Sequence, residues 1–282
     1  MDRHVWEIGK SKVIVSGGRV VSVVSEPLTK FCPINYSAWG TEKQTKETVK
    51  KSIEFRIGAF GLCTPERILE TDISAVGFGA SESLMTALKQ KIIDVTVTVC
   101  DGAGTVITEK PTLVEGIGVF MSALIETTPI PEVISELEKK GATILNPHTA
   151  EINQVAGVKK SFKMGYRKVG VTMMGPDAQA IPKIRLLEEE NKATVLVIVV
   201  HTTGIGQELA PFIEKADIVY GCASKVVRET IGPKALSTFG KNIPAYALTK
   251  LGEEVLRVQE KAISKNNRIL KIALRRPPFP LS

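Results

Sequence analysis

The sequence predicts an α/β fold: a mainly parallel sheet with helices on both faces, entered through an N-terminal β-hairpin. Three observations predict it. From residue 143 onward, short β-rich runs alternate with helical segments, the rhythm of strand and helix units in a parallel sheet. At Val95, Val97 and Val99, apolar residues alternate with Thr96 and Thr98, and the run then passes through Cys100 directly into a glycine-bearing turn. Near the start, Val13 and Val15 lead through Gly17-Gly18 into Val20, Val21, Val23 and Val24, and a Gly-Gly pair between two such runs suits a turn with positive φ. The 282 residues suffice for one large domain or two smaller ones. An α/β part with the hairpin and cysteine-bearing loops is expected over 1–126, and a Rossmann-like part over 127–282. The proline-rich stretch Thr127-Thr128-Pro129-Ile130-Pro131 marks the boundary.

The elements follow in order. Pro33 fixes an irregular stretch after the hairpin. Segment 43–58 is rich in Lys and Glu, with Val49, Ile53 and Ile57 four apart, and reads as a helix. Thr64-Pro65-Glu66 suits the start of a short helix over 65–70. A short strand at 73–76 precedes the stretch Gly77 to Glu82, after which a helix runs to about Gln90 with Leu84 and Leu88 on one face. After the strand of Val95 to Cys100, the apolar segment 113–125 fits either state, and Val133 and Leu137 mark the next helix. Strands are expected at 143–145, 168–172, 194–200, 217–220 and 245–248. Helices fall between most of them, at 149–164, 177–190 with an interruption at Pro182, 207–215 and 224–231. A final helix from Thr249 has an apolar stripe at Leu251, Val255, Val258 and Ala262, and the basic segment 261–276 reads as a solvated helix face with a frayed end.

Composition narrows the function classes. Hydrophobic residues are 43% and charged residues 24%, ordinary for a globular chain and unlike a disordered one. The net charge of +7 admits anionic ligands, but aromatics at 5% supply few stacking platforms, so nucleic acid is not the expected partner. No apolar core follows the first residues as a signal peptide would require, and no run reaches the length of a membrane span. A cytoplasmic protein with reduced thiols or thiolate ligands is expected, rather than one with disulfides.

The candidate site is expected at the carboxyl ends of the parallel strands, where open α/β sheets hold their ligands. Cys100, His201 and Cys222 each follow a strand and are the candidate catalytic groups. A thiol at such a place, as Cys222 is before a helix, gains from the helix dipole. Asp101, Gly102 and Gly104, with Thr202, Gly204 and Gly206, are the candidate cofactor-binding residues. None of the Gly-x-Gly pairs, Gly77/Gly79 included, completes a dinucleotide fingerprint, and tight turns without a nucleotide are the better reading of each, most clearly of Gly77/Gly79. Cys32, Cys63, Cys100 and Cys222 are candidate metal ligands for zinc or an iron–sulfur cluster. Cys32 and Cys63 lie beside prolines, and a Cys-Pro step closes many iron–sulfur runs. No Cys-x-x-Cys spacing occurs, so such a site needs distant segments to converge.

Several separated motifs stand in order along nearly the whole chain. They are Phe31-Cys32-Pro33, Phe60-Gly61-Leu62-Cys63-Thr64-Pro65, Val99-Cys100-Asp101-Gly102-Ala103-Gly104, Thr127-Thr128-Pro129-Ile130-Pro131-Glu132, Asn146-Pro147 with Glu151, and Tyr220-Gly221-Cys222-Ala223-Ser224-Lys225. Together they resemble the methanogenesis marker protein 8 family. The resemblance implies a role in methane-forming archaea, around methyl-coenzyme M reductase or its cofactors. Partners from that system, or a second copy of the chain, are the expected ones. The resemblance transfers no reaction and no catalytic residue. An accessory factor using a metal or thiolates is one expectation. A small-molecule enzyme binding an anionic substrate at the glycine-rich strand ends is another, and a non-catalytic assembly partner is the third.

Overall fold

The computed structural model describes residues 2–119, 121–265 and 277–282. The chain opens with strands β1 (His4–Ile8), β2 (Ser11–Ser16) and β3 (Arg19–Val23), then helices α1 (Pro33–Trp39), α2 (Lys46–Phe60) and α3 (Ala80–Lys89). Next come β4 (Val95–Cys100), β5 (Gly104–Thr108), α4 (Pro111–Gly118), β6 (Ala123–Thr127), α5 (Pro131–Lys139) and β7 (Thr143–Ile144). The remainder is α6 (Gln154–Lys163), β8 (Lys168–Met174), α7 (Ile181–Glu190), β9 (Thr194–Val200), α8 (Ala210–Ile213), β10 (Ile218–Tyr220), β11 (Ser237–Phe239), β12 (Ala245–Ala247) and α9 (Lys250–Lys265). Among the described residues, no helix is long and apolar enough to cross a membrane.

Two sheets form. The smaller runs β3-β2-β1-β6 and is antiparallel, and the larger runs β11-β12-β10-β9-β8-β4-β5-β7. The larger sheet is mixed, which corrects the expectation of a mainly parallel one. Among the described residues, only β4, β8, β9 and β10 pair in parallel. β5 is antiparallel because residues 101–103 between Cys100 and Gly104 form a tight turn, far too short for the crossover that parallel strands need. β7, β11 and β12 add further antiparallel edges. The sheets interleave along the chain: β4 and β5 join the large sheet before β6 returns to pair with β1.

Helices cover both faces of the large sheet, as expected. β9 shows why. Val195, Val197 and Val199 face α6, α7 and α8, while Leu196 and Ile198 face α3 and α9, and all five are fully buried. Between the small sheet and α2, Trp6, Val13, Val15, Val49 and Ile53 make a separate core.

Local expectations fail where tertiary contacts overrule propensity. Residues 65–70 form a turn at Pro65-Glu66 followed by irregular backbone instead of a helix, and 73–76 is irregular instead of a strand. Pro182 does not interrupt a helix; it stands near the first turn of α7, where its missing N–H costs nothing. The segment expected as a helix at 224–231 is wound as a π-helix over Val227–Ile231. The basic segment 266–276 lies outside the described residues. Beyond it, residues 277–282 are packed and not frayed. Phe279 exchanges backbone hydrogen bonds with Phe31, at 3.0 and 3.2 Å, and stacks on its ring, while the Ser282 amide donates to the Ala223 carbonyl at 2.9 Å.

Candidate functional site

The parallel strands β4, β8, β9 and β10 end at one edge of the large sheet. Opposite that edge lie β1, α1 and α2. Between them is a cavity of about 560 Å³, lined by Thr98, Thr172, His201, Thr203, Tyr220 and Cys222 from the strand ends, and by Cys32, Asn35, Trp39, Gln44 and Arg56 from the other side. The size is that of a pocket for a small organic ligand.

The strand-end wall is held by its own loops. Thr202 is fully buried and its hydroxyl donates to the Tyr220 carbonyl at 2.6 Å, tying the turn after β9 to the end of β10. The Thr203 hydroxyl accepts from the Ala223 amide at 3.2 Å. Arg228, on the π-helix, donates to the Cys222 carbonyl from Nε and Nη2 at 2.9 and 2.7 Å, and to the Asn242 carbonyl at 2.7 Å. These bonds hold two non-glycine residues in left-handed backbone, His201 at φ 52° and Cys222 at φ 38°. Such conformations persist only where the surroundings over-determine them, and they concentrate at functional sites. The His201 imidazole is pushed down to about 4, chiefly by burial and further by the charges of Arg56 and Lys10, so it is neutral at pH 7.

Arg56 dominates the opposite wall. It lies on the buried face of α2 with Val49, Ser52 and Ile53, and is only 4% exposed. Its Nη1 donates to the Ser122 hydroxyl at 2.7 Å, and the guanidinium sits 5.7 Å from the centroid of the Trp39 ring. Among the described residues no carboxylate forms an ion pair with it, and its Nε has no hydrogen-bond partner. Burial without a counter-charge pushes the guanidinium down to about 10. Glu7, also on the wall, is already paired with Lys10 at 3.5 Å. Cys32, the residue before α1, has its thiol pushed up, mainly by burial, with the nearby Cys222 thiol adding to the rise and Arg56 opposing it.

A pair of buried carboxyls stands at the third side of the cavity. Glu82 lines it and accepts from the Val76 amide at 2.9 Å and the Ser81 hydroxyl at 3.0 Å. Glu115 lies behind, fully buried. Burial pushes both carboxyls up, and the charge of Glu82 adds to the rise at Glu115, because neither has an ion-pair partner among the described residues.

The residues expected from sequence separate into two groups. His201, Cys222 and Cys32 meet on the cavity wall. Cys100 ends β4 at the same edge but turns into a different core with Leu69, Ala103 and Ile117, and burial pushes its thiol far up. Asp101 is a structural anchor with no exposed surface. Its carboxylate accepts from Arg67 Nε at 3.1 Å and from the Cys63 amide at 2.6 Å, while Cys63 Sγ receives the Trp6 indole N–H at 3.2 Å. Gly102 and Gly104 are required by packing, since a Cβ on Gly104 would stand 2.2 Å from the Ala150 carbonyl oxygen. Gly204 lies beneath the Lys10 side chain, and the helical turn after Gly206 already carries the Glu208 carboxylate, 2.1 Å from where a Cβ on Gly206 would lie. An anion at that turn would meet a carboxylate. The four cysteines also divide, Cys32 with Cys222 at the cavity and Cys63 with Cys100 beneath the Asp101 turn. Among the described residues, no group of three His, Cys, Asp or Glu side chains is placed to hold a metal. Cys63 and Cys100 are each buried in a different core on either side of the Asp101–Arg67 pair, Cys63 with Trp6 and Ile53 and Cys100 with Leu69 and Ile117, so they are not brought to Cys32 and Cys222.

Arg56 and its surroundings are not apparent from the strand-end reasoning. One signal was present: Arg56 continues the spacing of Val49, Ser52 and Ile53, so a cation sits on the face that the helix buries.

The family described as "Uncharacterized protein conserved in archaea (DUF2099)" matches residues 4–261. An uncharacterized protein of the methanogen Methanocaldococcus jannaschii is 46% identical over 269 residues, covering 94% of this chain and 93% of its own length. Both matches take in the cavity walls from Cys32 to Cys222, and on that extent the chain belongs to this family of uncharacterized proteins conserved in archaea.

Proposed function

We propose that the chain binds a small anionic ligand at Arg56 and presents it to the thiols of Cys32 and Cys222 and to the neutral imidazole of His201. The observation that carries this reading is the Arg56 guanidinium, buried on a cavity wall with no carboxylate partner among the described residues. A buried cation without a counter-charge is costly, and an anion entering the cavity relieves that cost. The anion seat is thus on α2 and not on the glycine turns, two of which are filled by Glu82 and Glu208. Two thiols and an unprotonated imidazole within the same cavity suit proton-transfer chemistry on the bound ligand, the buried Cys32 thiol being held protonated. The motif resemblance and the methanogen relative support an accessory role in methanogenesis, around the methyl-coenzyme M reductase system.

The test uses protein purified without oxygen and dialysed into an anion-poor buffer. Inorganic sulfate and phosphate should raise the thermal midpoint and slow alkylation of Cys32 and Cys222 by iodoacetamide. Arg56→Gln should lose both responses and Arg56→Lys should keep part of them. If neither anion moves either observable in the unaltered chain, the anion site does not exist.

A further inference from the structure

Resting on that anion reading, we propose that the ligand is amphipathic: one compact anionic head at Arg56 joined to an uncharged apolar body of several carbons. The cavity wall argues for the body. Val76, Phe78, Leu84, Val114, Val119 and Met121 line it from the loop before α3, from α3 itself, from α4 and from the turn beyond. A wholly polar ligand would leave these side chains facing water in a half-open cavity. An apolar body removes that surface from water.

The charges argue for a single head. Among the described residues, Arg56 is the one deeply buried cation on the lining, since Lys241 is exposed. A polyphosphate would need more counter-charge than this, together with the backbone cradles that glycine turns supply. Two such turns are filled by the carboxyls of Glu82 and Glu208. On the apolar wall itself the ionisable group is Glu82, a carboxyl, so a second anionic group would find no cation there. The Trp39 ring beneath the guanidinium fixes the plane of the cation and gives the first atoms after the head an apolar surface.

The probe is a homologous series. Isothermal titration of the full chain with inorganic sulfate and with ethane-, butane-, hexane- and octanesulfonate varies the body while the head stays constant. Affinity should rise by about fourfold for each added methylene until the cavity is filled, the factor set by burying one such group. Arg56→Gln should abolish binding along the whole series. Phe78→Ala should flatten the dependence on chain length. Arg56-dependent binding of sulfate with no gain along the series overturns the amphipathic ligand and leaves the anion site standing. Equal binding of octyltrimethylammonium and octanesulfonate also overturns it, because the head would then make no choice of charge. If neither sulfate nor any sulfonate binds, the anion reading itself fails.

Discussion

Replacing Arg56 by Met separates a ligand-binding cation from a structural one. In most proteins, removing a buried arginine strands its partner and costs about 3–5 kcal/mol. Here no carboxylate is left behind among the described residues. The depression of the guanidinium from 12.5 to about 10 means that the folded state disfavours the charged form by about 3 kcal/mol, at about 1.4 kcal/mol per tenfold. Methionine removes that penalty and fills a similar length of cavity wall. It also loses the hydrogen bond to Ser122, worth about 1–2 kcal/mol, and the contact over Trp39, worth about 1 kcal/mol. The ligand-free variant should therefore match the unaltered chain or exceed it by up to about 1 kcal/mol. Urea unfolding at pH 7 and low ionic strength measures this. Sulfate should then stabilise only the unaltered chain, because the gain from binding grows with occupancy of the folded state alone. A loss beyond about 2 kcal/mol in Arg56→Met would refute the reasoning, since it would show that the fold uses the charge in a pairing.

Three other outcomes follow from the same geometry. His201 is held below its unfolded value of 6.5, at about 4, so the unfolded chain takes up the proton first and stability falls as pH drops through that window. The fall should reach about 3 kcal/mol by urea titration, and His201→Asn, whose side chain tolerates left-handed backbone, should be flatter; a level profile in the unaltered chain contradicts this. Deleting residues 277–282 should lower the thermal midpoint and speed alkylation of Cys32 and Cys222, because Phe279 and Ser282 span the loops that carry those thiols. Unchanged labelling rates would show that the segment does not cover the cavity. Asp101→Asn leaves Arg67 buried beside a neutral amide and should cost about 3–5 kcal/mol in urea, whereas a loss under about 1 kcal/mol would remove the structural role given to that turn.

Much of the fold was legible because local chemistry and tertiary position agree. The Gly17-Gly18 hairpin, the helix with Val49 and Ile53 on its inner face, and the apolar strand at Thr194–Val200 all lie where their patterns put them. Misreadings occur where a short motif has two outcomes. Thr64-Pro65-Glu66 suits a helix start, but the Arg67 side chain is drawn inward to Asp101 and the segment stays a turn. Cys100-Asp101-Gly102 suits a ligand-binding strand end, but β5 folds straight back on β4 and buries the turn. His201 and Cys222 were legible as strand-end residues because a strand followed by a loop and a helix fixes which edge they occupy. Arg56 was not, because its meaning depends on what stands across from it.

By itself the sequence determined the helices and strands with strong periodicity, and the placement of His201 and Cys222 at the carboxyl ends of their strands. Those properties depend on neighbours a few positions away, where spacing and residue type are sufficient. The tertiary structure alone decided that the large sheet is mixed, that the four thiols divide into two pairs, and that a cation on α2 faces the strand ends without a carboxylate among the described residues. Each of these is a relation between segments far apart in the chain. Strand direction depends on which edge a returning strand finds. The charge balance of a cavity depends on every side chain that lines it, and residues 32, 56, 82, 201 and 222 meet there only after the two sheets have packed.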